Sequence, residues 1–182
     1  IVQHVPTGYT VEELTEKVLA VAKAVGRGET GAAMAGSIAA GFDGLAADLA
    51  AVEEKKRVLF ILSLVDGRIN AAGSGTGADA VIRLAGAENV FGGVEGYKIL
   101  SSEAVAALEP DAILMVTRPG LEAVDPLTVP GLAATPAGRT GTVIRMDALH
   151  LLGFGPRTPD ALRELAATLY PDVVPPEAAH VR

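Results

Sequence analysis

No cysteine occurs in these 182 residues, which removes thiolate metal sites, disulfide frameworks and thiol nucleophiles together. Tryptophan is also absent, and with only 3 Tyr and 4 Phe the stacking platforms of single-strand nucleic-acid binders are missing. Basic residues are in deficit. Lys and Arg total 15 against 22 Asp and Glu, a net charge of -7. The cations are scattered rather than gathered into a phosphate-neutralising patch, so no nucleic-acid partner is expected. The longest uncharged stretches are rich in Ala and Gly and broken by turns, and none reads as a membrane span. The chain opens on Ile1 with no visible signal peptide, and a mature or trimmed form is expected. The length suits one well-buried core with room for an appendage.

Helix and strand alternate along the chain. Thr10 and Glu13 read as a capping box, and Val11, Leu14, Val18, Val21, Ala22 and Val25 follow at helical spacing until Gly26 and Gly28. A second, Ala-rich helix is expected over 29–53, with Met34, Ile38, Leu45 and Leu49 buried; Gly36, Gly41 and Gly44 either weaken it or permit close packing. Residues 57–62, RVLFIL, form an unbroken apolar run typical of an interior parallel strand. A polar loop is expected over 63–74. Thr76 caps a helix that closes at Gly86, and residues 102–110 form a short helix ended by Pro110. Residues 111–116 are a second strand, leaving through Thr117-Arg-Pro-Gly120. A minor edge strand is expected at 132–135, a third clear strand at 142–146, a chain reversal after it, and a closing helix over 159–169. The tail from Pro171 reads as a loose end. This alternation predicts an α/β fold, a parallel sheet flanked by helices.

Ligands of such sheets bind at the carboxyl ends of the strands. Three loops are expected there: 63–74 with Asp66, Arg68 and Asn70, 117–120 with Arg118, and 148–157 with His150 and Arg157. The most telling run is 135–158, TPAGRTGTVIRMDALHLLGFGPRT, which joins a β-branched strand to a Gly/Pro/Arg loop that can aim a guanidinium over that edge. Several arginines on one rim of an acidic protein match a carboxylate or phosphate, whose oxygens fit the guanidinium fork. The plain alternative for Arg118 and Arg157 is helix capping or pairing with Asp and Glu. Gly73-Ser-Gly-Thr-Gly77 has the look of a phosphate loop, but it lacks the P-loop lysine and lies too far past its strand. Flexible backbone ahead of the Thr76 cap accounts for it. His4, His150 and His180 show no metal-ligand spacing, no serine sits in a nucleophile elbow, and no carboxylate pair sets acid and base roles. For His150, packing beside Leu149, Leu151 and Leu152 is the simpler role. The residues offer a binding rim without a catalytic constellation, so no enzyme is expected.

Several segments in order carry a resemblance: Val58 to Leu62; Gly73-Ser-Gly-Thr-Gly-Ala-Asp79 with Ile82-Arg-Leu-Ala-Gly-Ala-Glu-Asn-Val90; Ser102-Glu103-Ala-Val; Asp111-Ala-Ile-Leu-Met; Thr117-Arg-Pro-Gly-Leu; Thr135-Pro-Ala-Gly-Arg139; and Leu152-Gly-Phe-Gly-Pro-Arg157. Together, over nearly the whole chain, they resemble the periplasmic haem-binding proteins of bacterial ABC importers, within the larger group that includes the vitamin B12 and ferric siderophore carriers. The Thr-Pro-Ala-Gly and Gly-Phe-Gly-Pro-Arg pieces resemble the haem branch in particular.

The resemblance implies two class III, Rossmann-like α/β lobes joined by a long rigid helix, with haem as transported ligand in the cleft between them. It assigns residues 1–26 to the end of the first lobe and the interlobe helix, 27–172 to the carboxyl-terminal lobe, and 173–182 to a tail. Roughly a hundred residues of a first lobe would then be absent from this chain. It implies an axial Tyr on that lobe, Arg118 as a cleft arginine that pairs with a propionate or steadies the ligating phenolate, and Arg68 and Asn70 where some relatives supply a second axial ligand. Neither Tyr nor His stands at those two positions. Arg157 and Tyr97 are further ligand candidates, and His150 is a weak iron-ligand candidate. Glu103 matches a docking carboxylate for an arginine of the permease, although a first-turn Glu is also favoured by the helix dipole alone. Implied partners are haem and an ABC permease with its ATPase, in the periplasm, and exposed apolar surface implies self-association. A ferric siderophore or cobalamin is the alternative cargo, and a small α/β enzyme acting on an anionic substrate is the alternative class.

Overall fold

The computed structural model describes residues 8–118 and 124–175. These divide into two compact units, one made of 8–52 with 153–175, the other spanning Glu53–Leu152. The start of the segment assigned to the end of the first lobe, most of the expected tail, and Pro119 and Gly120 lie outside the described residues.

The first unit is helical. Helix α1 (Val11–Ala24) begins with the expected capping box, in which the Thr10 hydroxyl accepts from the Glu13 N–H and the Glu13 carboxylate accepts from the Thr10 N–H at 3.2 Å. It ends before Gly26, whose φ of 71° is the left-handed turn that favours glycine. Helix α2 (Gly28–Leu49) buries Ala35, Ile38, Phe42 and Leu45. The expected stripe is thereby corrected: Met34 is exposed and Phe42 takes its place in the core. The buried stripe runs three and four residues at a time through Ala35, Ile38, Phe42 and Leu45, and Met34 lies at its exposed margin. Glycine permits close packing at Gly41, where an added Cβ would stand 2.8 Å from Pro159 of α8 (Thr158–Leu169). Across the same pair of helices, Arg163 donates to Asp48 at 2.6 Å. Leu162, Leu165 and Leu169 complete the core, and Val174 is fully buried, so the tail is packed at its start. Phe154 sits at φ 40° with its ring 4.8 Å from that of Tyr9, and Lys17 donates to its carbonyl at 2.8 Å.

The second unit is α/β. Strand β1 (Arg57–Val65) is its centre, and the expected apolar run is buried from Val58 to Ile61. Each such side chain contributes about 1.5–3 kcal/mol by leaving water. Parallel β5 (Ala112–Thr117) lies on one side of it, with parallel β6 (Val143–Asp147) beyond; parallel β3 (Glu88–Asn89) and antiparallel β2 (Arg68–Ala72) share the other side. Antiparallel β4 (Tyr97–Leu100) closes the order β4-β2-β1-β5-β6. Helices α4 (Ser102–Leu108), α5 (Pro130–Ala133) and α6 (Pro136–Thr140) cover one face through Val105, Leu132 and Ala137 against Leu59, Ile61, Ile113 and Met115. Helices α3 (Gly77–Leu84) and α7 (Ala148–Leu152) pack on β1 and β5 and on each other.

Three expectations need correction here. The sheet is mixed, because the polar loop expected over 63–74 is a hairpin: β1 runs on to Val65, and Asp66 (φ 50°) and Gly67 (φ 72°) form a two-residue turn into β2. Positive φ at both central residues matches the right-handed twist of the flanking strands, and Asp-Gly is the pair that tolerates it. The edge strand expected at 132–135 is instead the junction of α5 and α6, each begun by a proline at its first turn. The reversal expected after β6 starts as a helix, α7, whose first turn is capped by Asp147 accepting from the His150 N–H at 2.8 Å.

Candidate functional site

Strands β1 and β5 run side by side only as far as the pair Ile61 and Met115. Beyond it β1 bulges between Ile61 and Ser63 and turns its hydrogen bonds to β2. The two parallel strands therefore part at their carboxyl ends and leave a hollow of about 290 Å³. Chain order places it well: β3 and β5 lie on opposite sides of β1. The gap is thus a topological switch point, where open α/β sheets take ligands.

The hollow has apolar walls and a cationic lip. Leu62, Leu64, Met115, Val116 and Val124 supply hydrocarbon, and Arg118 and Arg145 supply two guanidiniums. Arg118 is the first residue past β5, is exposed, and makes no hydrogen bond or ion pair with the described residues. Arg145 stands on β6 level with Met115. Its charge partner among the described residues is Asp125 at 3.9 Å, too long for a hydrogen bond. Such an arrangement suits an acid-bearing ligand with an apolar body.

The other candidates fall at varied distances from this hollow along the fold. Arg68 and Asn70 lie on β2, in register with Val65 and Ser63 of the hollow's wall, so the hairpin carries them beside it rather than into it. Tyr97 begins edge strand β4 opposite Ala72. His150 lies half-buried in α7, outside the lining. Glu103 stands fully exposed in the first turn of α4. Its own backbone N–H, then the Ser101 hydroxyl, hold its carboxyl below the ordinary 4.5. Arg157 belongs to the helical unit, as the exposed N-cap residue of α8, and its side chain makes no cap bond.

Sequence reasoning missed Arg145. In Val143-Ile-Arg-Met-Asp147 it reads as one polar residue of a half-exposed strand; the register with Met115 reveals its place. The available signal was the alternation of buried Ile144 and Met146 with exposed Arg145 and Asp147.

The glycine-rich segment has a structural task. Thr76 donates to the Gly73 carbonyl at 2.8 Å and accepts from the Asp79 N–H at 3.1 Å. Buried Asn89 donates to the Ala72 carbonyl at 3.1 Å and to Asp79 at 3.0 Å, and accepts from the Phe91 N–H at 3.1 Å. Arg83 completes the set at 3.1 Å from Asp79. A Cβ at Gly73 would collide with the Val94 carbonyl. The glycine lets two loops touch.

The profile of the family described as periplasmic binding protein matches residues 1–149. This chain belongs to that family. Among solved structures it is similar to the periplasmic heme-binding protein BhuT in complex with two hemes, at 40% identity and a TM-score of 0.82 over 88% of this chain. It is also similar to the periplasmic heme-binding protein RhuT from Roseiflexus sp. RS-1 in apo form, at 35% identity and a TM-score of 0.81 over 90% of this chain. A periplasmic heme-binding protein from Pseudomonas aeruginosa is similar at 32% identity, with a TM-score of 0.79 over 90% of this chain. The chain spans 63%, 64% and 61% of those three structures, less than two thirds of their length. No curated protein matches it significantly. The fold is that of a class III periplasmic binding protein, an open mixed sheet flanked by helices. The family and these structures are binding proteins. Among the described residues no helix is long and apolar enough to cross a membrane.

Proposed function

We propose that this chain is the haem-capturing part of a periplasmic substrate-binding protein, which delivers haem to an ABC permease and its ATPase and makes or breaks no bond in it. The observation that carries this reading is the hollow at the parting of β1 and β5, where Arg118 and Arg145 stand over apolar walls. Haem joins a flat hydrocarbon ring to two propionates, and that pairing of apolar area with two anions matches the lip and the walls. At about 290 Å³ the hollow suits the propionate edge rather than the whole macrocycle. Among the described residues neither Tyr nor His lines it, so in this reading the axial ligand of the iron comes from outside the hollow. The haem-binding structures that this chain resembles support the choice of cargo.

In the same reading residues 1–26 belong to the end of the first lobe and the helix between lobes, and 27–172 make the carboxyl-terminal lobe. Arg68 and Asn70 border the ligand from β2, Arg157 and Tyr97 are outlying contacts, and His150 is left to packing. Glu103, exposed and held ionised, is the docking carboxylate for the permease. Exposed Val65, Ile99 and Leu149 favour self-association, which sedimentation across a concentration series reads directly. The deciding experiment titrates the chain with haemin by Soret absorbance, beside a ferric siderophore and cobalamin. Saturable binding of haemin is expected. Tighter binding of either of the other two overturns the choice of cargo.

A further inference from the structure

We infer that Arg145 is a second carboxylate-holding residue of the hollow and that Asp125 is its internal stand-in, an acid that the ligand's own carboxylate replaces. This deepens the haem reading and rests on it. The geometry of the pair is loose. Arg145 Nη2 lies 3.9 Å from Asp125 Oδ1, with the two side chains 35% and 60% exposed. An arginine satisfied by a carboxylate makes charge-assisted bonds of about 2.7–2.9 Å, often two at once.

Asp125 has another task that keeps it from closing the gap. The same Oδ1 accepts from the Leu127 N–H at 3.0 Å and caps the single 3-10 turn Pro126–Thr128. Leaving that N–H to reach Arg145 would uncap the turn, so the carboxylate neutralises the guanidinium without occupying its fork. Arg145 is held in place on β6, level with Met115, while its donors face an opening that Arg118 also lines. A ligand carboxylate arriving there gains two hydrogen bonds that Asp125 does not make. It also meets the negative charge of Asp125 close by, which weakens its hold.

Two substitutions separate these contributions. Asp125→Asn keeps the acceptor for Leu127 and removes the charge; Arg145→Gln removes the guanidinium. The probes are protoporphyrin IX, with two carboxylates, and its dimethyl ester, with none, each followed by fluorescence quenching on the chain. For the diacid, D125N is expected to bind a fewfold tighter than wild type and R145Q roughly tenfold weaker, about the worth of one charge-assisted pair. For the ester, all three proteins should bind alike. Equal loss of diacid and ester in R145Q overturns the inference, as does D125N binding the diacid no better than wild type while its thermal midpoint is unchanged.

If the wild type binds neither porphyrin, the haem reading falls, and the inference is decided with 8-anilinonaphthalene-1-sulfonate, an apolar body with one fixed anion. The order D125N, wild type, R145Q from tightest to weakest upholds it. Any other order overturns it.

Discussion

Two hollows of the α/β unit contain arginine, and their polar groups are used in opposite ways. In the one around Asp79, Arg83 and Asn89, of about 460 Å³, the buried acid and amide are fully bonded and Arg83 sits 3.1 Å from its carboxylate. In the other, Arg118 has no described partner and Arg145 has a distant one. Satisfied donors hold a fold together; donors left facing an opening are available to a ligand. The contrast also separates two loops that the sequence offered as anion sites. The glycine-rich run at 73–77 serves the first hollow as architecture, and in the proposed reading the Thr117-Arg118 exit gives the second its recognition point.

The largest effect expected from testing this contrast is at Asn89. Changing it to Ala deletes its bonds to the Ala72 carbonyl, Asp79 and the Phe91 N–H and leaves Asp79 short of a partner, a loss of about 2–4 kcal/mol by the usual worth of buried hydrogen bonds. Urea unfolding reads it, and the folded fraction should retain its haemin affinity. A fall in affinity with little change in stability reverses the assignment of the two hollows.

A smaller effect, and of the opposite kind, is expected from Arg118→Gln. With no described partner to lose, stability should stay within about 0.5 kcal/mol of wild type, while haemin affinity drops roughly tenfold in a Soret titration. Destabilisation without loss of affinity makes Arg118 a structural residue like Arg83.

Glu103→Gln should touch neither quantity at neutral pH to any marked degree, and it sharpens the comparison from outside both hollows. Its own backbone N–H and the Ser101 hydroxyl lower its carboxyl below 4.5 in the folded chain. The stability it adds is therefore present above the unfolded value and fades as pH falls through the lower folded value. Unfolding curves of wild type and variant should differ slightly at neutral pH and converge in acid. Haem transfer to the permease in vesicles is the readout expected to fall, and a drop in haem affinity instead removes Glu103 from docking.

How far the fold was readable follows from where the information is local. Thr10 with Glu13 and Thr76 with Asp79 are caps formed within four residues, and each lies where the pattern put it; the Ser101 cap of α4 is equally local. The apolar runs of β1 and β5 were equally plain, because an interior strand hides both faces, and edge strand β6 was readable from its β-branched residues. The Asp66-Gly67 hairpin was also written locally, but polar residues around it read as loop, and the sheet gained an antiparallel edge that the pattern of alternation did not suggest. Residues 132–135 show the limit of propensity: a short apolar stretch is helix or strand according to what it packs on, and here two prolines at first turns settle it as helix.

The sequence by itself determined the class of the protein: an acidic, cysteine-free α/β chain with its parallel strands β1, β5 and β6, its caps and a loop arginine at the end of β5, since these depend on residues a few positions apart. Only the tertiary structure decided where the candidate site lies and which residues line it. The parting of β1 from β5, and the level at which Arg145 stands beside Met115, are set by hydrogen-bond register between strands some 30 residues or more apart in sequence. No local pattern carries that register, because it is fixed by which buried faces meet across the sheet.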